Sequence, residues 1–358
     1  MARGVDPPSD EAGFNELALE VFRYQVQAVP VYGRFVAKRG IDPERITGWE
    51  EIPAVPTRAF RRIPLVAGDP ARAEAVFQTS GTTGEGGVRG THRIVDLSLY
   101  RDSLLPMARR YLHPEGGPLR IVALTPPPVE RPESSLAWMV GVFVEAWDDG
   151  GGGWFAGPDW ELRLDPLKAT LEEAAGSERP LLVVGTAFAF VHLLERAREE
   201  GWRTALPTGS RLMETGGFKG RSREVPRGRL YRELEALLSL PTGRMVNEYG
   251  MTELLSQCYE PVLDGRTGPE PEERFLVGPP WLRTRILDPD RLTPVAPGTP
   301  GLLQHLDLAN LHSVSAILTE DLGVAVEGGF RVLGRREGSV PRGCSLSMED
   351  LLRARDER

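Results

Sequence analysis

Asn247-Glu248-Tyr249-Gly250-Met251-Thr252-Glu253 follows directly on the apolar pair Met245-Val246. An apolar strand ending in a polar, glycine-containing turn is how an open α/β sheet presents a ligand, at the C-terminal end of its strands. One aromatic face, one hydroxyl and one carboxylate fall within five residues, Tyr249, Thr252 and Glu253. They suit base stacking, a phosphate contact and Mg²⁺ ligation respectively. On its own the stretch reads equally as an ordinary strand-turn-helix with a core tyrosine.

Upstream, the pattern around it repeats. Arg120-Ile121-Val122-Ala123-Leu124 and Leu181-Leu182-Val183-Val184 are apolar runs of strand length. Helical patterns separate them: Ser134 opens one through Leu136, Met139 and Val140, Phe188–Arg198 forms a second, and Tyr231–Leu240 a third. A first helix carries Phe14, Leu17, Val21 and Phe22, with Asp10 as its cap. Gly150–Gly153 reads as a turn, because Trp154-Phe155 resumes a strand at once. Strands alternating with helices predict a largely parallel sheet. After Gly250 the texture changes to Pro, Gly and short β-like pieces at Arg274–Val277, Arg283–Leu287, Gly301–Leu306 and Phe330–Leu333. The expected organisation is an α/β core over residues 1–250, a β-rich subdomain of the same large domain over 251–334, and a short C-terminal tail over 335–358. Ser347, with Asp350 three residues on, is a capping signal for a helix in that tail.

Composition bounds the partners. A formal net charge of −8 argues against a broad nucleic-acid surface. The N-terminal segment is polar and holds Pro7 and Pro8, unlike a signal peptide, and the most apolar helix is interrupted by Gly141 and Glu145. The 2 cysteines, Cys258 and Cys344, could form one disulfide in principle, but so large a chain does not need one, so a reducing cytoplasm is expected. The only lysines are Lys38, Lys168 and Lys219, so any chemistry that needs a lysine has few candidates.

Two further segments can handle phosphate. Gln78-Thr79-Ser80-Gly81-Thr82-Thr83-Gly84 sets small hydroxyl residues between glycines, which lets N–H and O–H groups close around phosphate oxygens. It is not a Walker loop, since Gly84 is followed by Glu85. By composition alone it reads equally as a polar surface turn. Glu214-Thr215-Gly216-Gly217-Phe218-Lys219 places two glycines after a strand, where a flat ring or a phosphate can approach the backbone, with Lys219 adding charge. Standing alone it reads first as a strand-to-loop turn with a solvated lysine.

In this order and spacing, and with Thr319-Glu320-Asp321-Leu322-Gly323 and Gly334-Arg335 further on, the segments resemble the adenylate-forming superfamily of acyl-CoA ligases, adenylation domains and luciferases. The resemblance covers most of the chain. It implies that Thr79, Ser80, Gly81, Thr82, Thr83 and Gly84 hold ATP phosphates, and that Gly216 and Gly217 border the adenine, with Tyr249 and Gly250 against it. It implies that Thr252 meets the α-phosphate, Glu253 ligates Mg²⁺, Asp321 accepts from the ribose and Arg335 contacts the nucleotide. Most of that superfamily uses a lysine in a further C-terminal domain. No lysine follows Lys219 here, so Lys219, Arg336 or Arg342 is left to supply that charge.

The tail is similar to one branch, the acyl-protein synthetases that form the synthetase component of bacterial fatty acid reductase complexes. The resembling residues are Ile52–Pro56, Ser134–Met139, Gly185–Phe190 and Arg342-Gly343-Cys344-Ser345-Leu346. That resemblance implies a carboxylic, by family default fatty, acid activated as acyl-AMP and passed to Cys344 as a thioester for an acyl-CoA reductase-like partner or another acceptor. Two alternatives stand beside it: an acyl- or aryl-CoA ligase using free coenzyme A, and a non-catalytic nucleotide-binding scaffold. Trp138, Met139, Phe188 and Phe190 serve equally as an acyl pocket or as core. His92, close after the phosphate loop, is placed to touch nucleotide or substrate.

Overall fold

The structure is a computed structural model that describes residues 10–79, 88–216, 225–268, 270–335 and 342–356. In chain order, its helices and strands begin with α1 (Glu11–Ala28), α2 (Pro30–Lys38), β1 (Val55–Pro56), β2 (Ala75–Gln78), β3 (Thr91–Ile94) and α3 (Leu97–Leu112). Then come β4 (Arg120–Leu124), α4 (Ser135–Trp147), β5 (Gly153–Trp154), α5 (Leu164–Ala175), β6 (Leu181–Thr186), α6 (Ala187–Glu200), β7 (Arg211–Thr215), α7 (Arg227–Leu238), β8 (Met245–Tyr249) and β9 (Cys258–Tyr259). The rest is β10 (Leu282–Leu287), β11 (Gly301–Asp307), β12 (Ala316–Val326), β13 (Gly329–Arg335) and α8 (Arg342–Asp356).

By contact the chain separates into two units. One holds residues 1–103, 251–256 and 278–358, and the other 104–250 and 257–277. These boundaries differ from the expected 1–250, 251–334 and 335–358, and pairing explains the difference. β9 pairs antiparallel with β8, which keeps residues 257–277 beside the parallel strands. β1 pairs parallel with β12, which ties the N-terminal segment to the late strands.

Among the described residues, the second unit carries a six-stranded sheet in the order β5-β4-β6-β7-β8-β9, parallel except for β9. Leu181 to Gly185 are all buried, as expected of a parallel strand covered on both faces. The side chains of Phe190, Leu193 and Leu194 on α6, and of Leu230, Leu234 and Leu237 on α7, belong to the same apolar cluster as Val122 and Val183. Helix starts follow the sequence. Ser134 Oγ accepts from Ala137 N at 3.1 Å, Thr186 Oγ1 from Ala189 N at 3.1 Å, and in the first unit Asp10 Oδ1 from Gly13 N at 2.8 Å. Each such cap contributes about 1 kcal/mol relative to alanine.

Arg274–Val277 does not become a strand. Its residues form isolated bridging, with Val277 opposite Tyr259, and Arg274 turns inward. Its guanidinium donates to the carbonyls of Met245 at 2.7 Å and Thr242 at 2.9 Å, and pairs with Glu260 at 3.2 Å. A buried guanidinium bonded to two backbone carbonyls and a carboxylate ties its segment to Thr242, Met245 and Glu260.

The first unit carries a sheet in the order β1-β12-β11-β10, with β13 also on β12, and a separate β2–β3 hairpin. The segment after Arg335 ends in a docked helix: Arg34 Nε donates to Ala354 O at 2.6 Å, Arg39 meets Asp350 at 3.1 Å, and Leu351 and Ala354 are fully buried. The helix begins at Arg342, so Ser347 lies inside it instead of capping it, and its hydroxyl accepts from Arg39 at 3.0 Å. Cys344 falls in the first turn of α8.

Candidate active site

The β2–β3 hairpin carries the first part of the site in unit one. At the end of β2, Thr79 N donates to Gly90 O at 2.9 Å, and Gly90 N donates back to Thr79 Oγ1 at 2.9 Å. Thr79 therefore closes the base of the phosphate-loop segment with its own hydroxyl. Ser80, Gly81, Thr82, Thr83 and Gly84 lie outside the described residues.

The turn carrying Thr252 and Glu253 belongs to the same unit. Thr252 Oγ1 donates to Gln78 O at 3.4 Å, so two motifs 174 positions apart in the chain meet there. Leu254 N closes the turn onto Met251 O at 3.1 Å. Beyond it, Asp307 accepts from Leu255 N at 3.0 Å, Ser256 N at 2.9 Å and Ser256 Oγ at 2.7 Å. Burial pushes the Asp307 carboxyl up to about 6, against the pull of those donors.

His92 is 1% exposed, its imidazole packs edge-on to Phe60, and its Nδ1 sits 2.8 Å from Thr252 O. It supports the turn from beneath, which corrects the expectation that it faces nucleotide or substrate.

Asp321 and Arg335 come together on the paired strands β12 and β13, with Arg335 Nε 3.2 Å from Asp321 Oδ1. Burial disfavours the Arg335 cation, but Asp321, then Glu320 and Glu253, outweigh it and hold its pKa above the ordinary value. Arg58 pairs with Glu320 in turn. Next to Asp321 the β12–β13 register slips between Leu322 and Gly323. A Cβ on Gly323 would lie 2.5 Å from Leu303 Cδ2 and 2.8 Å from Arg331 O, so only glycine lets the strands approach there. Glu253, Asp321 and Arg335 thus form one charged neighbourhood.

In unit two, the sequence-singled residues stand at the ends of β7 and β8. Thr215 is paired in register with Glu248, and its hydroxyl donates to that carboxylate. Gly216 follows at φ +72°, a left-handed conformation that glycine adopts without strain. Tyr249 is half-buried at the end of β8, and a Cβ on Gly250 would lie 2.5 Å from Glu248 Oε1. Gly217 and Lys219 lie outside the described residues. Met139 and Phe190 are buried at 3% and 0% and are core, whereas Trp138 and Phe188 stay half-buried in the first turns of α4 and α6.

Beneath this edge lies Glu214, which sequence reasoning missed. Its Oε1 accepts from Asn247 Nδ2 at 2.7 Å and Tyr231 Oη at 3.2 Å. Burial pushes the carboxyl up from 4.5 to about 7, with Glu260 reinforcing and Arg227 opposing. The contribution is fully present below the unfolded value and is lost as pH rises through the folded one. Glu214→Gln keeps the acceptor and cannot ionise. Its stability relative to wild type is expected to rise by on the order of 3 kcal/mol between about pH 4 and about pH 8. Denaturant unfolding of both proteins across that range checks this, and a pH-independent difference contradicts it.

The family model described as "Acyl-protein synthetase, LuxE" matches residues 8–353. This chain belongs to the acyl-protein synthetase family. Over 357 residues it is 22% identical to the long-chain-fatty-acid–luciferin-component ligase of Vibrio harveyi, covering 96% of this chain and 89% of that protein. A stretch of 83 residues is 32% identical to the ligase of the same name from Aliivibrio fischeri, covering 21% of this chain and 22% of that one. Among solved structures, a 2-hydroxyisobutyryl-CoA ligase in complex with its acyl-AMP superposes with a TM-score of 0.66 at 16% identity, over 94% of this chain and 73% of that one. ATP-bound MatB of Rhodopseudomonas palustris superposes with a TM-score of 0.51 at 17% identity, over 75% and 49%. The expected fold is therefore present: an α/β adenylate-forming architecture. Family membership makes the chain a ligase. Among the described residues no helix is long and apolar enough to cross a membrane.

Proposed function

We propose that this acyl-protein synthetase joins a carboxylic acid to AMP and then carries the acyl group on Cys344. One observation supports the first step most strongly. The Thr252–Glu253 turn is hydrogen-bonded to the last residue of β2, beside the phosphate-loop segment and the Glu253–Asp321–Arg335 neighbourhood.

In this reading ATP is the co-substrate. Its β- and γ-phosphates lie in the Ser80–Gly84 loop, the adenine lies at Gly216, Gly217, Tyr249 and Gly250, and the ribose hydroxyls donate to Asp321. Thr252 lies against the α-phosphate, its hydroxyl exchanging Gln78 O for a phosphate oxygen as acceptor when ATP is bound, and Arg335, with Lys219, offsets negative charge. Among the described residues no cluster of three or more His, Cys, Asp or Glu side chains could hold a metal by itself. A single carboxylate completed by substrate phosphates is how proteins commonly hold Mg²⁺, and Glu253 fits that mode. When bound there, Mg²⁺ would neutralise charge on the phosphate oxygens. The substrate carboxylate attacks the α-phosphorus in line, forming the new P–O bond as pyrophosphate leaves. Thr252 and Arg335 act by positioning and charge, not by covalent chemistry.

The second step uses Cys344. In the sequence Arg342 stands two positions before Cys344, and a cation and a helix start near a thiol would favour the thiolate. Its sulfur bonds to the acyl carbonyl carbon, the C–O bond to AMP breaks, and AMP leaves with the electron pair, giving a thioester. A long fatty acid as substrate is in line with the names of the two ligases above; an acyl reductase as receiving partner and a cytoplasmic setting belong to the same reading.

Purified protein given ATP, Mg²⁺ and carboxylic acids of graded chain length tests the first step. Acid-dependent exchange of labelled pyrophosphate into ATP is expected. ATP bound without exchange for any acid would leave a nucleotide-binding scaffold.

A further inference from the structure

We propose that His92 and Asn310 are positioning residues that hold the Thr252–Glu253 turn in its working geometry through its own backbone carbonyls. This rests on the reading of Thr252 and Glu253 as phosphate and metal contacts, but the clamp is also measurable without turnover.

The two carbonyls of the turn are each taken by a buried side chain. Thr252 O lies 2.8 Å from His92 Nδ1, and Glu253 O accepts from Asn310 Nδ2 at 2.8 Å. Neither bond leaves its orientation open. A carbonyl can only accept, so His92 carries its proton on Nδ1. Burial pushes the His92 pKa down to about 4, so the ring is neutral at neutral pH. The Asn310 amide reaches a second carbonyl, Val314 O, at 3.3 Å, and two acceptors on one atom identify it as the nitrogen.

Both residues are themselves held. His92 stands opposite Phe77 in the β2–β3 hairpin, against Phe60. The backbone oxygen of Asn310 accepts from Gln25 Nε2 at 2.8 Å, and Asn310 is 1% exposed. The hairpin therefore grips the turn twice, at the Thr252 carbonyl through His92 and at the Thr252 hydroxyl through Gln78 O. Fixing successive carbonyls fixes the peptide planes on either side of Glu253, and with them the directions in which the Thr252 and Glu253 side chains leave the backbone. A site whose groups act by placement depends on such support, and a shift of about 1 Å costs roughly a hundredfold in rate.

The test uses the full chain as wild type, His92→Leu, His92→Asn and Asn310→Ala. The asparagine amide can stand where Nδ1 stands, so it restores the donor without the ring. Two readouts are taken: acid-dependent ATP–pyrophosphate exchange with kcat and KM for ATP, and deuterium uptake by backbone amides 251–256 without substrate. His92→Leu and Asn310→Ala are expected to lower kcat by about a hundredfold with KM within about threefold, and to speed uptake about tenfold or more. His92→Asn is expected to stay within about fivefold of wild type in both. Equal losses in His92→Leu and His92→Asn, or unchanged uptake in His92→Leu and Asn310→Ala, overturn the proposal. If His92→Leu does not fold, His92→Asn and Asn310→Ala decide between the same outcomes. If wild type shows no exchange with any acid, the adenylation reading fails, and the uptake readout alone decides the clamp.

Discussion

Cys344→Ser is expected to lower covalent acyl labelling of the chain by about a hundredfold or more while leaving acid-dependent pyrophosphate exchange within about threefold of wild type. The two steps use different groups. In the proposed reading, adenylation draws on the Thr252–Glu253 turn and the Asp321–Arg335 pair, and only the transfer needs a thiolate. A serine hydroxyl is essentially un-ionised at neutral pH and has no adjacent base assigned to it, so it is a far weaker nucleophile toward the acyl-adenylate. Labelling with radioactive acid, quantified after denaturing gel separation, checks the loss. Equal labelling of the two proteins would remove Cys344 from the transfer step.

The second large effect is at Glu253. Glu253→Gln removes the charge that would anchor Mg²⁺ but keeps the size and most of the packing. Exchange is expected to fall by about a thousandfold or more. The fall should appear mainly in kcat, because a metal held by Glu253 would stabilise charge that shifts during the displacement. Near-normal exchange in Glu253→Gln would place the metal elsewhere. Glu253 is also one of three acids that favour the Arg335 cation, so the variant weakens that neighbourhood too.

Much of the fold was legible because it rests on local signals. Asp10, Ser134 and Thr186 cap the helices that the apolar spacing called for. Of these, Asp10 and Ser134 were read from the sequence, while Thr186 was seen only as part of a resembling segment. The apolar runs at 120–124 and 181–184 are parallel neighbours, Val122 opposite Val183. The division of the chain was not legible, because it depends on pairs such as Val55↔Ile317, whose members carry no mark of each other. The helix in the tail was expected, but its start was not. Ser347 looked like a cap, and the side chain it meets, Arg39, is 308 positions away.

The site followed the same rule. The motif residues Thr252, Glu253, Asp321 and Arg335 stand out through the resemblance to the adenylate-forming superfamily, and their roles belong to the reading proposed above. The residues that support them do not stand out in this way. Asp307 and Asn310 lie in Asp307-Leu308-Ala309-Asn310, a stretch without any catalytic look, and reach the turn across 51 to 57 positions. One histidine near a loop, such as His92, does not reveal in the sequence which side of the hairpin it occupies. Glu214 lay inside a quoted segment, yet its burial between Asn247 and Tyr231 depends on α7 covering β7 and β8.

The most direct test of the account is the intact mass of the purified chain after incubation with ATP, Mg²⁺ and a single long-chain fatty acid. The account predicts a gain of one acyl group, removed by hydroxylamine and located by peptide mapping at Cys344. Release of AMP and pyrophosphate with no gain in mass would contradict it, and would assign the acyl group to a free acceptor such as coenzyme A.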